Sequence, residues 1–300
     1  MILVVGATGV VGGMITQRLL DEDKEVRILV RRDSPSSQLV QQGLATSAEA
    51  LIESGAHPVH GDLRDRASLD AALEGVDTVI STANSAGRGG ADNPQSVDLE
   101  GNRNLIEAAR EAGVGRFVFV SLIGADPDHP SPFVRAKAQS EAALRESGLE
   151  YTIIAPTAYM EFWVAMVVGM PALQGQPVTL VGEGRRRHSF VSNRDAAAFA
   201  VAALDHQAAR NEYLAIGGPQ PLSWLDVVAT YERVLERSIP VEFVAMGEPV
   251  PGLPDPMPEM MAGMETYDTA IEMEETSRAF GVPLTTLETF VREQVSSQTA

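Results

Sequence analysis

A doubly wound parallel α/β sheet, followed by a smaller part, is the fold this sequence predicts, and three observations carry it. Ile2 to Val5 is an uncharged, largely β-branched run of the kind that fills a strand buried on both faces. Gly6, Gly9 and Gly12 follow at once, and a helical pattern begins by Met14. Strand-like and helix-like stretches then alternate as far as Ala155, as a parallel sheet with helices on both faces requires.

The glycines have separable jobs in that first turn. One permits the tight bend, one lets backbone approach a pyrophosphate, and one lets the helix pack on the strand. The helix N-terminus then offers unpaired N–H groups and a partial positive charge to phosphates. An ordinary glycine-rich turn shares the pattern. The strand before it and the helix after it favour a Rossmann dinucleotide site formed by Gly6, Thr8, Gly9, Val10, Val11 and Gly12.

Glu25 to Val30 predicts the second strand, ending in Arg31-Arg32. Residues 35–54 predict a helix longer than the connection needs, with a break near Gly43 and Thr46-Ser47. His57 to His60 is the third strand, closed by Gly61, Asp62 and Leu63. Ser68 to Leu73 is a short helix and Val76 to Thr82 the fourth strand. A loop of small residues, Ala83 to Pro94, leads to a long helix over Gln95 to Ala112. Arg116 to Ser121, a helix from Phe133 to Ser147, and Tyr151 to Ala155 complete the alternation.

The pattern changes after Pro156. Tyr159, Met160, Phe162, Trp163, Met166 and Met170 share an apolar, aromatic helix. Val178 to Val181 and His188 to Val191 predict strands, and Asp195 to Leu204 an Ala-rich helix. Ser223 with Asp226 reads as a capping box. Five prolines between Gly247 and Pro258 argue against regular structure there. With Met257, Met260, Met261 and Met264 behind them, they predict a mobile cover over an apolar pocket, or else plain core. The expected division is a Rossmann domain over 1–155, with 176–206 returning to it, and a smaller α+β substrate-binding part from 156–175 and 207–300.

Composition narrows the class of function. A chain of 300 residues with 44% hydrophobic content is globular, and no apolar run reaches the roughly 18 residues of a membrane span. With a strand starting at Ile2, no charged leader is expected. The absence of cysteine removes disulfides, cysteine metal sites and thiol nucleophiles, and the histidines are too scattered for a metal centre. A net charge of −18 argues against a nucleic-acid partner. The expectation is a cytoplasmic monomer or homodimer acting on a small molecule, with no membrane.

The cationic residues are uneven: among 23 Lys and Arg, the only lysines are Lys24 and Lys137. Lys24 sits in a charged turn. Lys137 sits on a predicted helix where this chain otherwise uses Arg, so a compact ammonium is wanted there. Arg31 and Arg32 end the second strand, beside the adenosine ribose of a dinucleotide fold, where Arg accommodates a 2′-phosphate. They favour NADP(H) over NAD(H), against the plainer reading of a solvated basic pair. Asp62 and Leu63 fall near the adenine, with a simple turn aspartate as the alternative. The run Arg185-Arg186-Arg187-His188 reads as a solvated turn more readily than as an anion site.

A set of motifs carries a family resemblance. Gly-Ala-Thr-Gly-Val-Val-Gly at 6–12, Gly-Asp-Leu at 61–63 and Gly-Val-Gly-Arg-Phe-Val-Phe-Val-Ser at 113–121 resemble the short-chain dehydrogenase/reductase superfamily. Lys137 through Glu141 to Ser-Gly-Leu-Glu-Tyr-Thr-Ile-Ile-Ala-Pro at 147–156 resembles its atypical NmrA-like, NAD(P)-binding branch. Phe190 to Asp195 and Phe280 to Thr286 continue the likeness. That branch includes NADPH-dependent quinone reductases, triphenylmethane-dye reductases, isoflavone-reductase relatives and NADP-sensing regulators. The resemblance implies an NADP(H)-dependent oxidoreductase acting on a quinone-like or conjugated acceptor; its alternative is a redox sensor without turnover.

The resemblance also implies roles. In the superfamily a Tyr donates the proton, a Lys on the next helical turn holds the nicotinamide ribose, and an upstream Ser orients the substrate. Here that spacing is Ser121, Phe133 and Lys137, with Phe at the proton donor's position. Lys137 and Ser121 keep their roles, and Tyr159 is the nearest replacement acid, unless it is a core residue. The loop holding Thr82, Ala83 and Asn84 flanks the nicotinamide ribose, and Pro156 to Tyr159 lines the nicotinamide.

Overall fold

The computed structural model of the chain describes residues 1–31, 45–86, 88–253 and 256–299. They fall into two compact units, Met1–Ala155 with Ala196–Ala215, and Pro156–Asp195 with Ile216–Ala300. The first holds the sheet: β1 (Ile2–Val5), β2 (Val26–Val30), β3 (His57–His60), β4 (Thr78–Ser81), β5 (Arg116–Val120), β6 (Glu150–Pro156) and β8 (Glu212–Ile216). Their spatial order is β3-β2-β1-β4-β5-β6-β8. Ile2 pairs in parallel with Val26 on one side and Thr78 on the other, and Val120 pairs with Ile154. Asn211 N donates to the Tyr151 carbonyl and Thr157 N to that of Ile216, so β8 runs alongside β6 in the same sense.

The apolar runs become strands because both faces are covered. Leu3 and Val4 are fully buried, and all of β5 is buried. Helices α1 (Val10–Asp21), α2 (Ala48–Glu53), α3 (Arg66–Ala72), α4 (Asn102–Glu111) and α5 (Pro132–Glu146) cover the sheet, with α1 contacting β1 and β2. The predicted helix over Gln95 to Ala112 is two pieces, a π-helical stretch Pro94–Gly101 running into α4. Asn93 and Ser96 cap the start reciprocally. The buried Asn102 side-chain amide adds bonds to the Val97 and Asp98 carbonyls at this junction.

The expected return of 176–206 to the main sheet is corrected: only Ala196 onward lies in the first unit. There α7 (Asn193–Asp205) leads to β8, a strand within the stretch assigned to the smaller part. Meanwhile β7 (Val178–Val181) pairs in parallel with β9 (Val241–Val244) in a sheet of its own. His188 to Val191 makes isolated bridges, to Leu222, Thr269 and Tyr159, rather than a strand.

The second unit has its own core. The apolar segment after Pro156 is a π-helix, Met160–Gly169, continued by α6 (Met170–Leu173). It packs with α8 (Trp224–Leu235), which starts at the capping box of Ser223 and Asp226, around Trp224, Tyr231 and Phe190. Proline does not keep 247–258 irregular throughout: α9 (Met257–Met264) begins with Pro258 in its first turn, where a missing N–H costs nothing. Met257, Met261 and Met264 are 3, 1 and 7% exposed and belong to this core, so the expectation of a cover over a pocket gives way to packing. α10 (Glu274–Phe280) and α11 (Leu287–Thr299) complete the unit. Among the described residues no helix is long and apolar enough to cross a membrane.

Arg116 ties the first unit together across three elements. Its guanidinium donates to Glu150, to Thr152 Oγ1 and to the carbonyl of Ala203 on α7. Arg116→Met leaves buried acceptors unmatched and is expected to lower stability by about 1–3 kcal/mol, read as a fall in Tm.

Candidate functional site

The strand order reverses between β1 and β4, and a doubly wound sheet opens a crevice at that point, beyond the carboxyl ends of its strands. Gly6, at φ +87°, turns the chain out of β1, and Gly9 N donates back to its carbonyl at 2.9 Å. A Cβ on Gly6 would lie 2.6 Å from Thr82 Oγ1, and one on Gly12 would fall inside the radius of the Gly6 carbonyl oxygen. Thr82 closes the contact from β4, its N–H donating to Val5 O at 2.9 Å. Gly9 caps α1 with no side chain, and a Cβ there would meet only the Gly6 carbonyl. The first turn of α1, flanked by half-buried Thr8, Val10 and Val11, therefore keeps unpaired N–H groups over an open cradle. That donor set fits a pyrophosphate.

At the ends of β2 and β3 the structure gathers cations on one carboxylate. Asp92 meets Arg31 at 2.7 Å, Arg64 at 3.3 Å and Arg88 at 3.6 Å. Arg64 also forks onto Asp62, at 3.0 and 2.7 Å, and this hydrogen bonding holds the Asp62 carboxyl below its ordinary range against the opposing effect of burial. Asp62 is thus a partner of Arg64 rather than a bare turn residue. Arg32 lies outside the described residues. Leu63 puts its side chain into the sheet core, and its carbonyl accepts from Asn104 Nδ2 at 2.9 Å. Arg64, Arg88 and Asp92 escaped the sequence reading; the signal available was an Arg directly after Gly-Asp-Leu and an Arg-Asp pair in the loop after β4.

Lys137, on α5, is 2% exposed. Its Nζ donates to Val120 O at 3.2 Å, lies 4.8 Å from the Phe119 ring centroid and 5.9 Å from that of Phe133, and faces Asp98 Oδ1 at 3.8 Å. Burial pushes this ammonium below the ordinary lysine range, while Asp98 and then Glu141 pull it back. Ala83 packs against the sheet core, and Asn84 turns back to the Thr82 carbonyl and accepts from Ala86 N, so its side chain shapes the loop. Ser121 donates to the buried Glu141 at 2.6 Å, whose other oxygen takes Arg145 at 2.9 Å. The sequence reading did not separate Glu141 and Asp98 from the many other acids.

Pro156 and Tyr159 belong to the second unit, whereas Ser121, Phe133 and Lys137 belong to the first. Burial, and then Glu161, raise the Tyr159 phenol well above the tyrosine range, which makes it a weak donor. Glu161 is engaged with Ser192 Oγ and the N–H of Asn193 at the start of α7. The arginine run is surface: Arg185 and Arg186 pair loosely with Glu183 and Asp268, and His188 is buried. Among the described residues no group of three or more His, Cys, Asp or Glu could hold a metal.

Sheet order, glycine turn and helix-borne lysine together define a Rossmann-type α/β protein. The chain belongs to the NmrA-like family, whose model matches residues 1–291. It is 32% identical over 246 residues to an NAD(P)H azoreductase of Xenophilus azovorans, covering 82% of this chain and 77% of the relative. It is 28% identical over 290 residues to phenylcoumaran benzylic ether reductase PT1 of Pinus taeda, covering 93 and 90%. Its fold is that of the NADPH complex of a quinone oxidoreductase from Escherichia coli, with TM-score 0.78, 23% identity and full coverage of both chains.

The Gly12 contact gives a direct test of the cradle. Gly12→Ala must push α1 off the β1 turn, and is expected to cost about 1–3 kcal/mol by overpacking, read from denaturant midpoints. Unchanged stability would mean the turn has slack that the close contact denies.

Proposed function

We propose that the protein is an NADPH-dependent oxidoreductase that passes a hydride to a quinone-like or otherwise conjugated small molecule. The observation that carries this is one sheet with an uncapped, glycine-lined helix start at the carboxyl end of β1 and the buried Lys137 ammonium at the carboxyl end of β5. The cradle takes the pyrophosphate. Arg31, with Arg64 and Arg88 beside it, takes the 2′-phosphate by charge-assisted hydrogen bonds. Lys137, with Val120 O as its one hydrogen-bond acceptor among the described residues, has donor directions left for a ribose hydroxyl. The second unit is the substrate-binding part.

When bound, the nicotinamide supplies the hydride; the chain's own residues decide which acceptors suit it. Phe133 has no proton to give. The Ser121 proton is committed to Glu141, so Ser121 is not a proton source for the acceptor. Tyr159 is held far from acidity. Reduction of an unactivated ketone leaves a strongly basic alkoxide that needs an acid as it forms. Quinones, enones and cationic dyes give phenolate-like, enolate-like or neutral products that water can protonate later. The azoreductase and quinone oxidoreductase relatives point the same way. Phe at position 133, where a proton donor is expected, also favours a second reading, a regulator that binds NADP(H) without turnover.

Purified protein is expected to oxidise NADPH with quinones, enones or dyes and to be poor with simple ketones, followed by NADPH absorbance. Efficient reduction of a simple ketone would show another acid at work. Tight NADPH binding with no turnover on any acceptor selects the regulator.

The cation cluster should set cofactor choice. Arg31→Ala with Arg64→Ala is expected to weaken NADPH binding roughly 10–100-fold while leaving NADH nearly unchanged, by fluorescence titration. Equal losses for both cofactors would remove the 2′-phosphate assignment.

A further inference from the structure

Asp98 is the least expected charge in the first unit. It lies on the π-helical stretch Pro94–Gly101, is fully buried, and carries one carboxylate oxygen without a hydrogen-bond donor among the described residues. That oxygen, Oδ1, is the one 3.8 Å from Lys137 Nζ. The other, Oδ2, accepts from Ser85 twice, from its N–H at 3.0 Å and its hydroxyl at 2.5 Å. Even the Asp98 carbonyl is fastened, accepting from Ser140 Oγ at 2.6 Å and Asn102 Nδ2 at 3.1 Å. Backbone and side chain are therefore held from the loop after β4, from α4 and from α5.

We propose that Asp98 is the counter-ion that keeps the buried Lys137 ammonium charged and aimed, making it a positioning residue for the site. An ammonium with one carbonyl acceptor and two aromatic faces in a dry slot would shed its proton unless a negative charge stood by. Burial raises the Asp98 carboxyl above its ordinary range, and Lys137 first, then the two Ser85 donors, work against that rise in favour of the carboxylate. Glu141 is the other acid near Lys137, on the same helix, but its oxygens are taken by Ser121 and Arg145. Ser85 follows Thr82 to Asn84, so one carboxylate ties the loop proposed to flank the cofactor to the lysine proposed to hold it. The use of Lys137 toward a ribose rests on the reductase reading; the ion pair does not.

The sparse lysines make the pair directly measurable. With lysine labelled at Cε, the NMR spectrum of the full chain shows two lysine signals, and Lys24→Arg assigns them. In the cofactor-free wild type the Lys137 signal is expected to be that of a charged amine at neutral pH. In Asp98→Asn its titration midpoint falls by about 1–3 pH units. The alkaline limb of the NADPH turnover profile moves to lower pH by the same amount, because the charged lysine is the working form. If Asp98→Asn does not fold, Asp98→Ser gives the same reading with a smaller neutral side chain. An unchanged midpoint in a folded variant, or a Lys137 already neutral in the wild type at neutral pH, overturns the proposal. The titration needs no cofactor, so a wild type that fails to oxidise NADPH would refute the reductase reading and leave this result standing.

Discussion

The close approach of the first glycine turn to the end of β4 is the constraint on which the rest of the first unit depends. A side chain at Gly6 or Gly12 would collide with the Gly6 carbonyl or with Thr82. With hydrogen there instead, β1, β4 and α1 meet at van der Waals distance, and α1 starts against the sheet with its first N–H groups unspent. The switch point of the sheet thus becomes a place where backbone, rather than side chains, faces a ligand. Arg31 and Arg64 lie where β2 and β3 end, and Lys137 where β5 ends.

The charges in this unit are handled by two different means. At the surface end, Asp92 and Asp62 share three guanidiniums, so the cations are held in place by partners that solvent can partly replace. At the inner end, Lys137 and Asp98 are out of water altogether, and the cost of burying each is offset by the other and by Ser85. The guanidiniums of the first group stay partly exposed, whereas both partners of the second are buried.

Phe133 changes the chemistry available without changing the scaffold. Its ring still sits 5.9 Å from the Lys137 nitrogen, and the helix that carries both is intact. What is lost is an exchangeable proton, and the Ser121–Glu141–Arg145 chain does not return it, because its proton runs toward the carboxylate. Hydride delivery and proton delivery are thereby separated, which is the physical ground for the acceptor class proposed.

The sequence by itself determined the features that depend on neighbours along the chain. The β1–glycine–α1 unit, the strand and helix alternation to residue 155, Arg31 at a strand end, and the Ser121, Phe133, Lys137 spacing are all of this kind, set by side-chain period and backbone freedom over one or two turns. Only the tertiary structure decided what meets across the chain. Edge strand β8 has one buried residue to announce it, and β7 finds β9 rather than the main sheet, since short strands choose partners by the surface left open to them. Met257, Met261 and Met264 went to the core for the same reason, their helix having an apolar face to cover. Arg64 meets Arg88 and Asp92 from a different loop, and Asp98 reaches Lys137 from another helix, 39 positions before it in the chain. Charge pairing in a dry interior is a matter of distance through space, and nothing in the spacing of letters carries that distance.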